Sequence, residues 1–233
     1  MSSINWKNIN SDTIQGLIIT DLPPITKAKR RTSSTVIDGR DGDIIDYLGY
    51  EPYVKPLTIG LKPDADIDKV ISYFNGEGDL VMSNEPNKVY KAQIIDKIDY
   101  DRLLRFRKAI VNFYVQPYKF LYNESKIDLI INAETSLVVP NVGLEKSKPI
   151  ITLYGEGVIE LQINNIAVFE VNIDDEYITI DCLEEDAYKD SINNLKNRKM
   201  IGDFPIYLEL GNNTISWSGN LTRIIIEPKS RWI

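Results

Sequence analysis

The chain of 233 residues contains no histidine and a single cysteine. Without histidine, Ser-His-Asp and Cys-His catalysis, histidine-ligated zinc and proximal-histidine haem are excluded. One cysteine excludes intrachain disulfides, CxxC redox chemistry and thiolate metal clusters. No apolar run approaches the roughly 20 residues a membrane helix requires, so no membrane partner is expected. Met1 to Asn10 carries Asn5, Lys7 and Asn8 among isolated apolar positions. With no apolar h-region there, the expectation is synthesis in the cytoplasm without a signal peptide. A basic surplus is also lacking: the net charge of −7 argues against a nucleic-acid binder. Gly76-x-Gly78 and Gly155-x-Gly157 lack the third glycine of a dinucleotide fingerprint, and no Gly-x4-Gly-Lys-Ser/Thr occurs. Carboxylate chemistry or no chemistry remains, and neither a metal nor another cofactor is expected.

What is present reads mostly as β-structure. Segments rich in Val, Ile, Tyr and Thr are separated by turn signals at Asp38-Gly39, Asp41-Gly42, Asn164-Asn165 and Gly211-Asn212. One stretch differs. From Pro63 to Gly76, Ile67, Val70, Ile71 and Phe74 recur at helical spacing. The reading is a helix of about 12 residues and about 18 Å, with Asp64 as N-cap and Gly76 closing it. Strands are expected at Gly78–Ser83 and Val89–Tyr100 around a turn at Glu85-Pro86-Asn87. In Leu103–Val115 the apolar phase changes after Leu104 and Phe106, which predicts a bulge near Arg107-Lys108. That strand is expected to end at Gln116-Pro117, because proline cannot continue a central strand.

A second series of short strands follows: Ile127–Asn132, Pro149–Tyr154, Val158–Ile163, Ala167–Val171, Tyr177–Cys182, Pro205–Leu210, Asn213–Trp217 and Leu221–Glu227. The chain is therefore expected to be mainly β in two domains. The first, over residues 1–125, is an α+β domain (a sandwich or barrel with one helix); the second, over 126–233, is a β-sandwich. Cys182 is in phase with Ile178 and Ile180 and should face a core.

Several clusters could carry chemistry. In Asp38-Gly39-Arg40-Asp41-Gly42-Asp43, a calcium loop starting at Asp38 would find Arg40 at position 3 and Gly42 at position 5, so the match fails and a glycine-rich connection is favoured. Asp174-Asp175-Glu176 and Glu184-Glu185-Asp186 contain enough carboxylates for glycoside hydrolysis, but acidic runs are usually solvated loops. Tyr114, Tyr118, Phe120 and Tyr122 favour packing over a sugar platform. Lys27, Lys29, Arg30 and Arg31 form the basic run, which reads equally as a solvated edge or a contact for an acidic partner.

The stretch Thr35-Val-Ile-Asp-Gly39-Arg-Asp-Gly42 resembles the "GRDG" segment of distal tail proteins from long-tailed phages of Gram-positive bacteria. The segments Ile67–Asn75, Asp79–Asn84 and Phe113–Phe120 follow in the order that family shows. Ser147-Lys-Pro149, Tyr154-Gly-Glu-Gly157, Met200–Pro205, Leu210–Ile215 and Trp217-Ser-Gly219 are similar to its C-terminal domain. The resemblance implies a non-enzymatic virion component at the tail tip, assembled in the host cytoplasm. There a hexameric ring would join the tail tube to tail-associated fibre or receptor-binding proteins, with DNA passing through its channel. It makes Gly39–Tyr53 the expected arm to a neighbour, and Arg30, Arg31, Gly39, Arg40, Asp41, Gly42, Tyr47 and Tyr53 the candidate oligomer interface. A soluble glycan-binding β-sandwich module is the alternative.

Overall fold

The computed structural model describes residues 2–96, 98 and 105–233. It is mainly β, with curled antiparallel sheets and one helix lying wholly within the described residues. Two compact units are formed, Met1–Tyr122 with Ile233, and Asn123–Trp232.

The first unit contains β1 (Ile4–Trp6), β2 (Ile9–Asn10), β3 (Leu17–Asp21), β4 (Arg30–Val36), β5 (Asp43–Tyr50), β6 (Tyr53–Leu61), α1 (Ile67–Tyr73), β7 (Glu77–Met82), β8 (Glu85–Gln93) and β9 (Lys108–Leu121). Its main sheet runs β2-β1-β7-β8-β9-β6-β3 and its pairs are antiparallel. Strand alternation builds the core: Leu57, Ile59 and Leu61 of β6 and Ala109, Val111 and Phe113 of β9 share its inner face. Trp6 meets the Phe113 ring edge-on at 5.1 Å, and Val70, Tyr73 and Phe74 join the same cluster.

Three expectations change here. The helix has seven residues, about 10 Å, and its N-cap is Asp66 rather than Asp64: the Asp66 carboxylate accepts from the Lys69 N–H at 3.2 Å. Residues 62–65 are held in a turn against β3's approach, with Lys62 N–H donating to Gly16 O and Ala65 N–H to Lys62 O. A Cβ on Gly16 would lie 2.4 Å from Ala65 Cα, so this close approach needs glycine. The buried stripe is rotated, with Tyr73 inside and Ile71 exposed. The β7–β8 turn lies at Ser83-Asn84, since Met82 pairs with Glu85 and Pro86 is already in the strand.

The third change concerns β9. Arg105 and Phe106 are helical and Arg107 has φ +56°, so the phase change marks the start of β9 at Lys108, not a bulge within a longer strand. Leu103, Leu104 and Lys97, Asp99 and Tyr100 lie outside the described residues. At its other end β9 continues through Pro117 to Leu121. Pairing with β8 slips there, from Ala92–Val115 to Tyr90–Lys119, and β6 stops pairing at Val115. Proline is tolerated because it sits in an irregularity where the ladder asks for no N–H.

The second unit contains β10 (Ile127–Ile130), β11 (Ser136–Asn141), β12 (Ile150–Ile163), β13 (Ile166–Ile173), β14 (Tyr177–Asp181), β15 (Asp186–Lys189), β16 (Ser191–Leu195), β17 (Met200–Ile201) and β18 (Gly211–Glu227). What reads as four short strands is two long ones, β12 and β18, each serving both layers of the sandwich. Ile150–Tyr154 pairs with β14 and the end of β18, whereas Gly157–Ile163 pairs with β13 and the start of β18. Both strands turn the corner at glycine. A Cβ on Gly155 would lie 2.3 Å from Asn220 O, and one on Gly219 2.3 Å from Val158 O. Thr222 is an extra residue between the Gly155–Leu221 and Tyr154–Arg223 pairs. It switches the buried phase from Ile215 and Leu221 to Ile224 and Ile226. Pro205–Leu210 forms no strand; Leu208 makes only an isolated bridge to Ser147.

Cys182 is fully buried among Ile178, Ile180 and Ala187, and burial pushes its thiol up to about 12. Native protein is therefore expected to react with a soluble thiol reagent at least ~100-fold more slowly than protein in denaturant, because only thiolate attacks. Equal rates would place the sulfur outside the core.

Candidate functional site

The segments flanking the glycine-rich loop pair as a two-stranded ribbon, β4–β5, which forms its own sheet. Gly39 and Gly42 make the tip with φ of +80° and +78°, and nothing lies within 4 Å of where their Cβ atoms would be. They are needed for conformation rather than for space. Arg40 N–H donates to Ile37 O at 3.1 Å to close the turn.

Cross-strand register sets the faces. Thr32–Tyr47, Ser34–Ile45 and Val36–Asp43 share one face, and Ser33–Asp46 and Thr35–Ile44 the other. Every residue of β4 is exposed, and in β5 only Ile44 and Tyr50 are partly covered. An isolated two-stranded ribbon is marginal in water. This one leaves Val36 72%, Tyr47 65% and Ile45 52% exposed. Apolar side chains left open in that arrangement make the ribbon the candidate interaction surface.

The root is stapled. The Arg30 guanidinium lies 4.6 Å from the Tyr47 ring centroid and 5.2 Å from that of Tyr50, and donates to the Tyr50 hydroxyl at 3.1 Å. Tyr50 meets Tyr118 edge-on at 6.0 Å, and Arg31 donates to Leu48 O at 3.1 Å. Arg30 and Arg31 are thus engaged within the hairpin itself. The side chains of Arg40 and Asp41 are exposed at the tip. Tyr53 lies off the ribbon, at the start of β6 and opposite Val115 of β9, with its hydroxyl donating to Thr26 O at 3.4 Å.

Residues 22–29 lead into the hairpin and are strapped across β6 and the β7–β8 turn. Asn84 donates to Pro23 O at 3.0 Å, Lys55 Nζ to Pro24 O at 3.0 Å, and Tyr53 to Thr26 O. Lys55 is 1% exposed and lies 4.8 Å from the Tyr90 ring centroid. Beside it Lys119 Nζ donates to Glu85 Oε1 at 2.7 Å, and the Tyr90 hydroxyl donates to Glu85 Oε2. Burial alone would raise the Glu85 pKa. Hydrogen bonds from Lys119 and Tyr90, with the charges of Lys119 and Lys55, outweigh it and hold the carboxyl below its usual range. Burial lowers the Lys55 pKa, an effect only partly opposed by Glu85. Sequence reasoning missed this cluster, although Lys55 is in phase with Leu57 and Ile59, and Lys119 with Phe113 and Val115.

The acidic runs do not form a converging carboxylate pair. Asp174 is held by Lys199, Asp175 by Lys189, and Glu185 by Lys148. Among the described residues no group of three or more His, Cys, Asp or Glu is placed to hold a metal ion. Of the aromatics, Tyr154 and Tyr177 stack at 5.0 Å. Arg223, from the strand on one side, covers Tyr154 at 5.3 Å, and Lys189, from the strand on the other, covers Tyr177 at 5.0 Å. Tyr114, Tyr118 and Phe120 all lie within β9.

No family model and no curated protein matches the chain. Among solved structures it is similar to the crystal structure of SPP1 Dit (gp 19.1), described as a paradigm of the hub adsorption apparatus in phages infecting Gram-positive bacteria. That likeness has a TM-score of 0.70 at 15% identity and covers 100% of both chains. It agrees with the family resemblance of the GRDG stretch and of the segments around it. From first strand to last, the fold of this chain is that of SPP1 Dit.

Proposed function

We propose that the chain is a non-enzymatic structural subunit of a phage tail tip, a distal tail protein that assembles into a ring. The observation that carries this reading is the β4–β5 hairpin, exposed along both strands, with Val36, Ile45, Tyr47 and Leu48 open to solvent. Such an arm is complete only when a neighbour covers it, and repeated head-to-tail coverage closes a ring. Full-length likeness to a hub protein supports the same role. In this reading the ring is a hexamer that joins the tail tube to tail-associated fibre or receptor-binding proteins, and DNA crosses its channel without being bound. The surplus of acidic over basic residues, 34 against 27, suits a channel wall that repels phosphate.

A glycan-binding module would need an open aromatic face. Tyr154 and Tyr177, the stacked pair of the second unit, are flanked by each other, Arg223 and Lys189. Light scattering with particle imaging tests the assembly: six copies of 26.6 kDa give about 160 kDa, and a closed ring should be visible. A chain that remains monomeric and binds cell-wall glycan with micromolar affinity would replace this reading with the module.

A further inference from the structure

We infer that Asn75 is a site of self-modification: its side-chain amide is displaced by the Gly76 nitrogen, the Lys7 ammonium promotes the attack, and the product is aspartate or isoaspartate. Asn75 is the one asparagine of the chain that a glycine follows. Glycine has no Cβ to stand between its own nitrogen and the preceding side chain. Both residues are exposed, so water reaches them. The backbone is anchored on either side. Phe74 is buried and its N–H donates to Val70 O at 3.2 Å, and Gly76 O accepts from the Ile94 N–H at 3.0 Å. Between these anchors, among the described residues, the Gly76 N–H donates to no acceptor and the Asn75 side chain makes no hydrogen bond. The nucleophile and the group it attacks are therefore both untethered.

Lys7 supplies the activation. Lys7 and Asn8, with φ of +54° and +65°, form the two-residue turn between β1 and β2, where Trp6 pairs with Ile9. The Lys7 N–H donates to Asp79 O at 3.0 Å, and its stem lies across β7: a Cβ on Gly78 would be 2.6 Å from Lys7 Cγ. So directed, Lys7 Nζ donates to Asn75 O at 3.2 Å. That oxygen and the Gly76 nitrogen belong to one peptide group. A charge-assisted hydrogen bond to the oxygen stabilises the anion left when the nitrogen loses its proton, and the anion is the attacking form. The nitrogen forms a bond to Asn75 Cγ, the Cγ–Nδ2 bond breaks, and the amide leaves as ammonia with a proton from solvent. Water then opens the cyclic imide at either carbonyl, giving aspartate by one cleavage and isoaspartate by the other, with no change of oxidation state. In the isoaspartate product the main chain runs through the former side chain, one carbon longer. The carbonyl that Lys7 held becomes a free carboxylate.

Folded protein aged in mildly alkaline buffer and digested with trypsin yields the peptide Val70–Lys88, which also holds Asn84 and Asn87 as internal references. Ageing is expected to add about 1 Da at Asn75, and to make that position a substrate for isoaspartyl methyl transfer, at least ~5-fold faster than any change at Asn84 or Asn87. Lys7→Met keeps the stem over Gly78 and removes the charged head. It should slow the native reaction at Asn75 at least ~3-fold, whereas in denaturant, where Lys7 is no longer held at Asn75, the two chains should react alike. Wild type alone supplies a second comparison that needs no variant to fold: Asn75 should convert at least as fast in the folded chain as in denaturant, even though folding restricts the backbone. Equal native rates with and without the Lys7 ammonium overturn the proposal. So does an Asn75 that folding protects.

Discussion

Gly219→Ala is expected to unfold much of the second unit's stability, costing about 3–5 kcal/mol. Two effects add at this position. The residue has φ +97°, where an L side chain is strained by about 1–3 kcal/mol, and its Cβ would lie 2.3 Å from the Val158 carbonyl oxygen. Neither contact partner can yield cheaply. Val158 O belongs to β12, and the neighbouring Ile159 is in the core beside Leu161 and Ile224. Relief would require the two long strands to separate at the corner where both change layer. For a unit of this size each kcal/mol lowers the melting midpoint by roughly 4–8 °C, so a fall of at least ~12 °C is expected. Gly39→Ala supplies the control, because its φ of +80° is similar but nothing lies within 4 Å. It should leave the midpoint of the second unit unchanged. A Gly219→Ala loss below ~1 kcal/mol would mean that β12 and β18 do not cross so closely.

That corner also shows where the sequence was legible and where it was not. Alternation correctly marks Ile151, Leu153, Ile159, Leu161 and Ile163 as one buried series, and it carries the mainly β fold. It cannot tell two short strands from one long strand that bends, because Gly155 and Gly157 look like a turn whether the chain reverses or only changes layer. The one-residue insertion at Thr222 hides the continuity of β18 in the same way. Edge strands such as Ser191–Leu195 escape because both faces are solvated and no period is imposed on them. At the helix, spacing located the segment but not its start, which is set by Ala65 packing on Gly16, a contact between residues distant in sequence. The β4–β5 hairpin was legible as two extended segments joined by a glycine-rich loop.

Glu85→Gln should have the second large effect, about 2–4 kcal/mol on the first unit, together with a change in its acid sensitivity. The Glu85 side chain is only 12% exposed, and that of its partner Lys119 is 9% exposed. Glutamine keeps the shape and can still accept a hydrogen bond, but it leaves Lys55 and Lys119 close together with no carboxylate between them. That is the costly way to break a buried pair, since the remaining charges stay desolvated. Because the folded state holds the Glu85 pKa below its unfolded value of about 4.3, its contribution is complete above that pH and fades as pH falls through the folded value. Lys55 acts in the same direction at the other end: its lowered pKa means the native state releases its proton first, so stability rises as pH climbs toward about 10.4. Wild type should therefore lose stability on acidification below about pH 4.3 more steeply than Glu85→Gln, and the two curves should converge at low pH. The consequence reaches the arm, because Lys55 in this cluster holds Pro24 O and, through it, the strap that leads to Arg30. Hydrogen exchange should show residues 22–29 opening faster in Glu85→Gln while β12 and β18 keep their protection. If the variant melts and exchanges like wild type, the buried cluster does not anchor the arm.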